Sequence, residues 1–316
     1  MRPEDILAIP ARVLTQAQRE AYFDDGYLVV ESVVDPVWLE RLNAVVDDYV
    51  EQSRKLERSD GVLDLEPGHR PDNPRPRRIS QPVNHHPIFW EFASQSIIGD
   101  VVADVLGPDV KFHHANLNFK WSGGGQEVTW HQDIPFFPHT NYSMLNIGTY
   151  LRDVDADMAP LKVIPGSHKG PIHSHYDADD ETWTGQIGAA DVARLDKDRA
   201  VALDGPAGSC TLHHCRTVHA SEPNSSSRPR PLLINGFSSA DAMPYTAFPR
   251  PSKYNGELVR GSAPRYAHID PEPCRLPPDW SRQAYTSIFA LQQDEEWDDS
   301  QTGAIEAITA TQRAAR

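Results

Sequence analysis

The stretch VKFHHANLNFKW, residues 110–121, alternates in character. His114, Asn116, Asn118 and Lys120 fall on one side, and Ala115, Leu117, Phe119 and Trp121 on the other. A period of two belongs to a strand with two unlike faces. Strand-like runs recur at 143–151, 161–164, 200–203, 209–219 and 230–237. Before residue 110 the period is helical. Thr15 is placed to cap a short helix that Gly26 ends, and an apolar strand starts at Leu28. Asp35 and Pro36 open a second helix, with Trp38, Leu39, Leu42, Val45, Val46 and Tyr49 at helical spacing. Residues 86–107 read as a third helical stretch.

Helices first and strands from about 110 to 240 predict a mainly β fold with flanking α: a sandwich or jelly roll, N-terminal helices packed outside. The chain reads as one domain, 1–316, with a helical part to about 108, a core at about 109–240 and an extension at about 241–316. The tail after Asp294 is expected to fray or form a short helix. Residues 58–86 read as irregular, either a solvated loop or a lid whose Arg75, Arg77 and Arg78 meet an anionic substrate.

The net charge of −15 argues against nucleic acid and against an anionic membrane as partners. No run approaches the roughly 18 apolar residues of a membrane span. Three cysteines make no disulfide framework, and the N-terminal residues lack a secretory pattern, so a reducing cytoplasm is the expected setting.

Chemistry concentrates in TWHQD, residues 129–133. On a strand end, His131 and Asp133 point to one face. His219, at the end of a later strand, supplies a third ligand. Two His and one carboxylate form the facial triad of non-haem iron(II) oxygenases, leaving positions for a chelating 2-oxo acid and O2. The far carboxylate of 2-oxoglutarate then needs a cation, best an arginine fork. Arg230 lies eleven residues past His219 at the start of the next strand, with Arg228 as competitor. A zinc site from Cys210, His213, His214 and Cys215 lacks the paired spacing, and Cys215 reads as a core thiol. PGSHKG reads as a turn rather than a phosphate loop, His168 as structural or at a pocket rim, and His139 as exposed.

HQD at 131–133, PLKVIPGSHKG at 160–170, and HASEPN followed by Arg230 together resemble the phytanoyl-CoA dioxygenase family. FDDGYLVVESVVDP (23–36) and IIGDVVADVLGPDVKF (97–112) add to the likeness, which runs from about 15 to 240. The resemblance implies a double-stranded β-helix core and an Fe(II)- and 2-oxoglutarate-dependent dioxygenase. It implies His131, Asp133 and His219 as iron ligands and Arg230 on the 2-oxoglutarate tail. It extends cosubstrate contacts to Ser221, Thr149 and His114, the last a departure where some members carry Gln. The carboxylate of Asp133 argues for hydroxylation or another oxidation over halogenation, since halogenating relatives replace it with a small residue.

Asn118, Lys120 and Arg78 then face a substrate or solvent, and Phe136 and Phe137 wall a pocket or pack in the core. The expected reaction is oxidation of an unactivated C–H bond of a small polar or anionic metabolite, releasing succinate and CO2. An apolar terpenoid or polyketide intermediate is the second choice. A non-redox metal-binding jelly roll and a zinc or manganese hydrolase are the rivals, and neither needs a carboxylate clamp.

Overall fold

The computed structural model describes residues 1–123, 125–270, 272–282 and 287–292, so the tail expected after Asp294 lies outside the described residues. The N-terminal part carries α1 (Pro3–Leu7), α2 (Gln16–Asp25), β1 (Tyr27–Val30), α3 (Pro36–Ser53), β2 (Leu63–Leu65), β3 (Pro76–Ser80), α4 (Pro87–Gln95) and α5 (Ile98–Leu106). Thr15 and Gln18 form a reciprocal capping box on α2, and the Asp35 side chain accepts from the Val37 amide to start α3. The third helical stretch is two helices. Ser96 is extended between them, and Arg260 donates to the carbonyls of Ser94 and Ser96 at the break.

The strands that follow are β4 (Val110–Lys120), β5 (Val128–His131), β6 (Met144–Tyr150) and β7 (Leu161–Val163). After helix α6 (Ala189–Val192) come β8 (Val201–Leu203), β9 (Cys210–His214), β10 (His219–Ser221), β11 (Arg230–Ser239) and β12 (Leu258–Arg260), then helix α7 (Ile288–Gln292). The run expected at 209–219 is thus two strands, and they belong to different sheets. One sheet has the order β1-β9-β6-β11-β4-β3-β2, with β12 also on β4; the other runs β5-β10-β7-β8. The chain is mainly β with few helices.

The two faces of the large sheet do different work. Phe112, Leu117, Ile147, Leu212 and Leu233 join Leu42, Val46, Phe92 and Val102 of the helices in the main apolar core. The opposite face looks across a cavity to the smaller sheet. β4 holds both faces in register through a bulge at His113: Phe112 pairs with Phe237 and His114 with the next residue, Gly236.

Residues 58–86 are not irregular throughout. β2 and β3 extend the large sheet beside β4, where Arg78 pairs with Asn118. Arg77 is buried and forms a two-point ion pair with Asp64, while Arg75 pairs with Glu66. Charges paired across neighbouring strands hide the apolar alternation that marks a strand.

Candidate functional site

β5 and β10 run antiparallel and set His131 opposite His219, their rings 4.0 Å apart. Asp133 follows β5 at a turn fixed by its amide, which donates to the Cys215 carbonyl at 3.0 Å. One ligand atom from each of the three lies within 4.8 Å of the others. His131 Nδ1 is 2.8 Å from the Thr129 carbonyl, and His219 Nδ1 is 2.8 Å from that of Thr217. A carbonyl only accepts, so each Nδ1 carries the proton and each Nε2 presents a lone pair. Burial pushes the His131 pKa well below its ordinary value and that of His219 down to about 4, so both rings are neutral near pH 7.

Asp133 has its two oxygens in different settings. Oδ2 accepts from Asn146 Nδ2 at 2.9 Å and from His213 Nε2 at 3.1 Å. Oδ1 lies 3.7 Å from His219 Nε2. Burial opposes its charge, but His219 and His213 outweigh burial and hold the carboxyl below the usual carboxylate range. Two imidazole lone pairs and a carboxylate oxygen, all buried and convergent, suit an octahedral iron(II) with open positions better than a four-ligand structural zinc.

The cavity holds about 850 Å³, its open mouth included. Among its lining residues, Arg230 opens β11 opposite Lys120 and is 3% exposed. Its Nε and Nη1 have no partner among the described residues, and its Nη2 is 3.5 Å from Ser221 Oγ. Burial lowers its pKa to about 10, which still leaves it charged. A buried guanidinium with open donors calls for an anion, and its fork suits a carboxylate. Arg228 instead is exposed and ion-paired with Asp155. A carboxylate clamp beside the triad therefore fits 2-oxoglutarate.

The other expected site residues divide. Ser221 lines the cavity and also donates to the Ala159 carbonyl at 3.1 Å. His114 lies across Gly236, where a Cβ would come within 2.4 Å of the ring, so β11 needs glycine there. Burial lowers the His114 pKa to about 4. Asn118 reaches the cavity with an Oδ1 that has no partner among the described residues, and Arg78 donates to Asn116 Oδ1 at 2.6 Å. Lys120 lines the cavity, but its amino group donates to the carbonyls of Ser221 and Glu222, tying β4 to the end of β10. Phe136 and Phe137 wall the cavity and also belong to apolar clusters.

Thr149 is not brought to the cavity. On β6 it shares the core-facing side with Leu145 and Ile147, and its hydroxyl is 3.6 Å from Cys210 Sγ. Asn146, of the other parity, is the β6 residue that reaches the site. His139, expected exposed, is buried, with Nδ1 2.7 Å from the Phe137 carbonyl. His168 is structural: its Nε2 is 3.1 Å from the Phe23 carbonyl. Sequence reasoning missed Asn146, His213 and Phe289 of α7, all of which line the cavity. The signal for Asn146 was a lone carboxamide in an apolar strand. For His213 it was an imidazole of opposite parity to Cys210 and Leu212.

A triad open on one side, a carboxylate clamp and a two-sheet frame define the class of iron- and 2-oxoglutarate-dependent oxygenases. The model of the family described as Phytanoyl-CoA dioxygenase (PhyH) matches residues 22–232, and the chain belongs to that family. A probable alpha-ketoglutarate-dependent hypophosphite dioxygenase of Stutzerimonas stutzeri is 28% identical, covering 84% of this chain and 92% of that protein. An ectoine dioxygenase of Sphingopyxis alaskensis is 25% identical, covering 74% and 81%. A crystal structure of EctD from S. alaskensis with 2-oxoglutarate and 5-hydroxyectoine superposes with a TM-score of 0.61 at 20% identity, covering 92% of this chain and 91% of that one. This protein is a 2-oxoglutarate-dependent dioxygenase, with iron and 2-oxoglutarate as its cofactors. No helix among the described residues is long and apolar enough to cross a membrane.

Proposed function

We propose that His131, Asp133 and His219 hold the iron(II) and that Arg230 binds the far carboxylate of 2-oxoglutarate. Ser221 and His114 flank that cosubstrate. The observation that carries this reading is the pairing of two Nε2 lone pairs, fixed by Nδ1 bonds to carbonyls, with a buried arginine whose Nε and Nη1 are open. The frame is read as a double-stranded β-helix (jelly roll) within one domain, supported by two facing sheets with the site between them. Three free thiols agree with a cytoplasmic setting.

When bound, iron(II), 2-oxoglutarate and O2 supply the oxidation of an unactivated C–H bond, with succinate and CO2 released. The protein's part is geometric and electrostatic. Asn146 and His213 occupy Oδ2 of Asp133, which leaves Oδ1 toward the metal position. Thr129 and Thr217 fix the imidazoles through their carbonyls. Phe136 and Phe137 exclude water beside the reacting carbon.

The substrate is read as a small polar or anionic metabolite. Arg78 and Arg230 line the cavity against one carboxylate, Asp133, while burial lowers the Lys120 pKa to about 6 and leaves it largely uncharged, in a chain of net charge −15. With Arg230 assigned to the cosubstrate and Lys120 bonded to carbonyls, Arg78 and Asn118 are the groups placed to meet a substrate anion or hydroxyl. The hypophosphite named for the Stutzerimonas relative is likewise a small anion, although its oxidisable bond is P–H rather than C–H. A second reading, an apolar terpenoid or polyketide intermediate, draws on Phe136, Phe137, Leu232 and Ile234 along the same cavity.

The test adds Fe(II) and 2-oxoglutarate to apo-protein without oxygen. A visible charge-transfer band is expected in the wild type and absent in Asp133→Ala and His219→Ala, with circular dichroism unchanged. A succinate-release screen of small anions and polar metabolites follows. Substrate-dependent succinate formation persisting in either variant would sink the triad assignment.

A further inference from the structure

The family match ends at residue 232, yet part of the cavity wall comes from well beyond it. Ile288 and Phe289 of α7 line the cavity, and Phe289 is 1% exposed. The helix is seated by specific contacts. Gln292 accepts from the Thr129 amide at 2.9 Å and donates to the Gly185 carbonyl at 3.0 Å. Gly185, at φ +65°, admits Leu291: a Cβ there would come within 2.5 Å of Leu291 Cδ2. The Arg77 guanidinium lies over the Phe289 ring at 5.5 Å.

We propose that α7 is the outer wall of the substrate chamber, that Phe289 is a specificity-determining residue setting the size of substrate admitted, and that Gln292 latches the wall to β5. This rests on the reading of the cavity as the substrate chamber. The described residues of α7 are seated by these contacts. The latch also reaches the metal position. Thr129 takes Gln292 on its amide and His131 on its carbonyl, so one residue joins the wall to an iron ligand.

The first test needs neither iron nor a known substrate. A cysteine is placed in the cavity by Ile234→Cys, and its alkylation by N-ethylmaleimide is timed by peptide mass spectrometry in the full chain. Adding Phe289→Ala, Gln292→Ala or Gly185→Ala is expected to speed labelling at least fivefold, with the thermal unfolding midpoint recording that each variant is folded. Equal rates in the folded variants overturn the wall. The second test runs the Phe289 variants through a succinate-release panel of anions of graded size. Phe289→Ala should admit members larger by about a phenyl ring, and Phe289→Trp should lose the largest members accepted by the wild type. An unmoved size limit overturns the specificity role. Absence of the anaerobic charge-transfer band in the wild type would count against the iron and 2-oxoglutarate assignment instead, and the labelling result would still decide α7.

Discussion

Replacing Arg230 by Ala should weaken 2-oxoglutarate binding about a hundredfold. Arg230 is 3% exposed, and burial has already drawn its pKa down to about 10, so it bears a desolvation cost that an incoming carboxylate offsets. Truncating one partner of a buried, hydrogen-bonded charge pair costs about 2–5 kcal/mol. Taking about 3 kcal/mol, and a factor of ten per ~1.4 kcal/mol, gives roughly two decades in the dissociation constant. Arg230→Lys keeps the charge but loses the planar fork, and should fall between at about tenfold. The assay is anaerobic titration of the Fe(II)-loaded protein with 2-oxoglutarate, read at the charge-transfer band. Arg228→Ala is the control: its ion pair with Asp155 is exposed, and such pairs contribute about 0–1 kcal/mol. A wild-type midpoint in Arg230→Ala, or a raised midpoint in Arg228→Ala, refutes the assignment.

Three further outcomes are expected. His213→Phe removes one of two donors to Asp133 Oδ2 and should lower iron(II) affinity about 10- to 100-fold, with partial recovery in His213→Gln, as read by anaerobic calorimetry. Thr149→Val should leave the 2-oxoglutarate midpoint within about twofold, because the hydroxyl lies 3.6 Å from Cys210 Sγ on the core side; a large rise would mean that Thr149 faces the cavity instead. Lys120 has its folded pKa lowered by burial to about 6, against roughly 10.4 in an unfolded chain. Between these values the unfolded state holds the extra proton, so stability rises with pH across the window and is flat below it. The unfolding midpoint of the wild type should therefore gain on that of Lys120→Met from pH 6 to 9, and a loss over that range contradicts the sign.

What could be read from the chain depended on whether a strand has two unlike faces. β4 does, and its polar face at 114, 116, 118 and 120 is the face that lines the cavity. All seven residues of β6 are buried, so alternation gives no facing there; Thr149 rests on the family resemblance alone, and Asn146 shows only as a lone carboxamide in an apolar strand. β3 is buried at all five positions including Arg77 and Arg78, which makes a strand next to the sheet edge look like loop. As one of the zinc candidates at 210–215, His213 carries no sequence sign of its role as a donor to Asp133. α7 has no local signal: five residues near a long acidic stretch acquire a role only through Thr129 and Gly185, more than 100 residues earlier in the chain.

The bulge in β4 has a consequence for how this strand tolerates change in length. His113 is the residue that the partner strand does not match: Phe112 and His114 face consecutive residues of β11. Excising it would cost its own side-chain packing and the bond from Asn255 to its carbonyl, but Phe237 and Gly236 would keep their partners. A single-residue deletion in the middle of a strand ordinarily turns every later side chain over. Here one position is exempt, and the strand can lose it while His114, Asn116, Asn118 and Lys120 still look into the cavity.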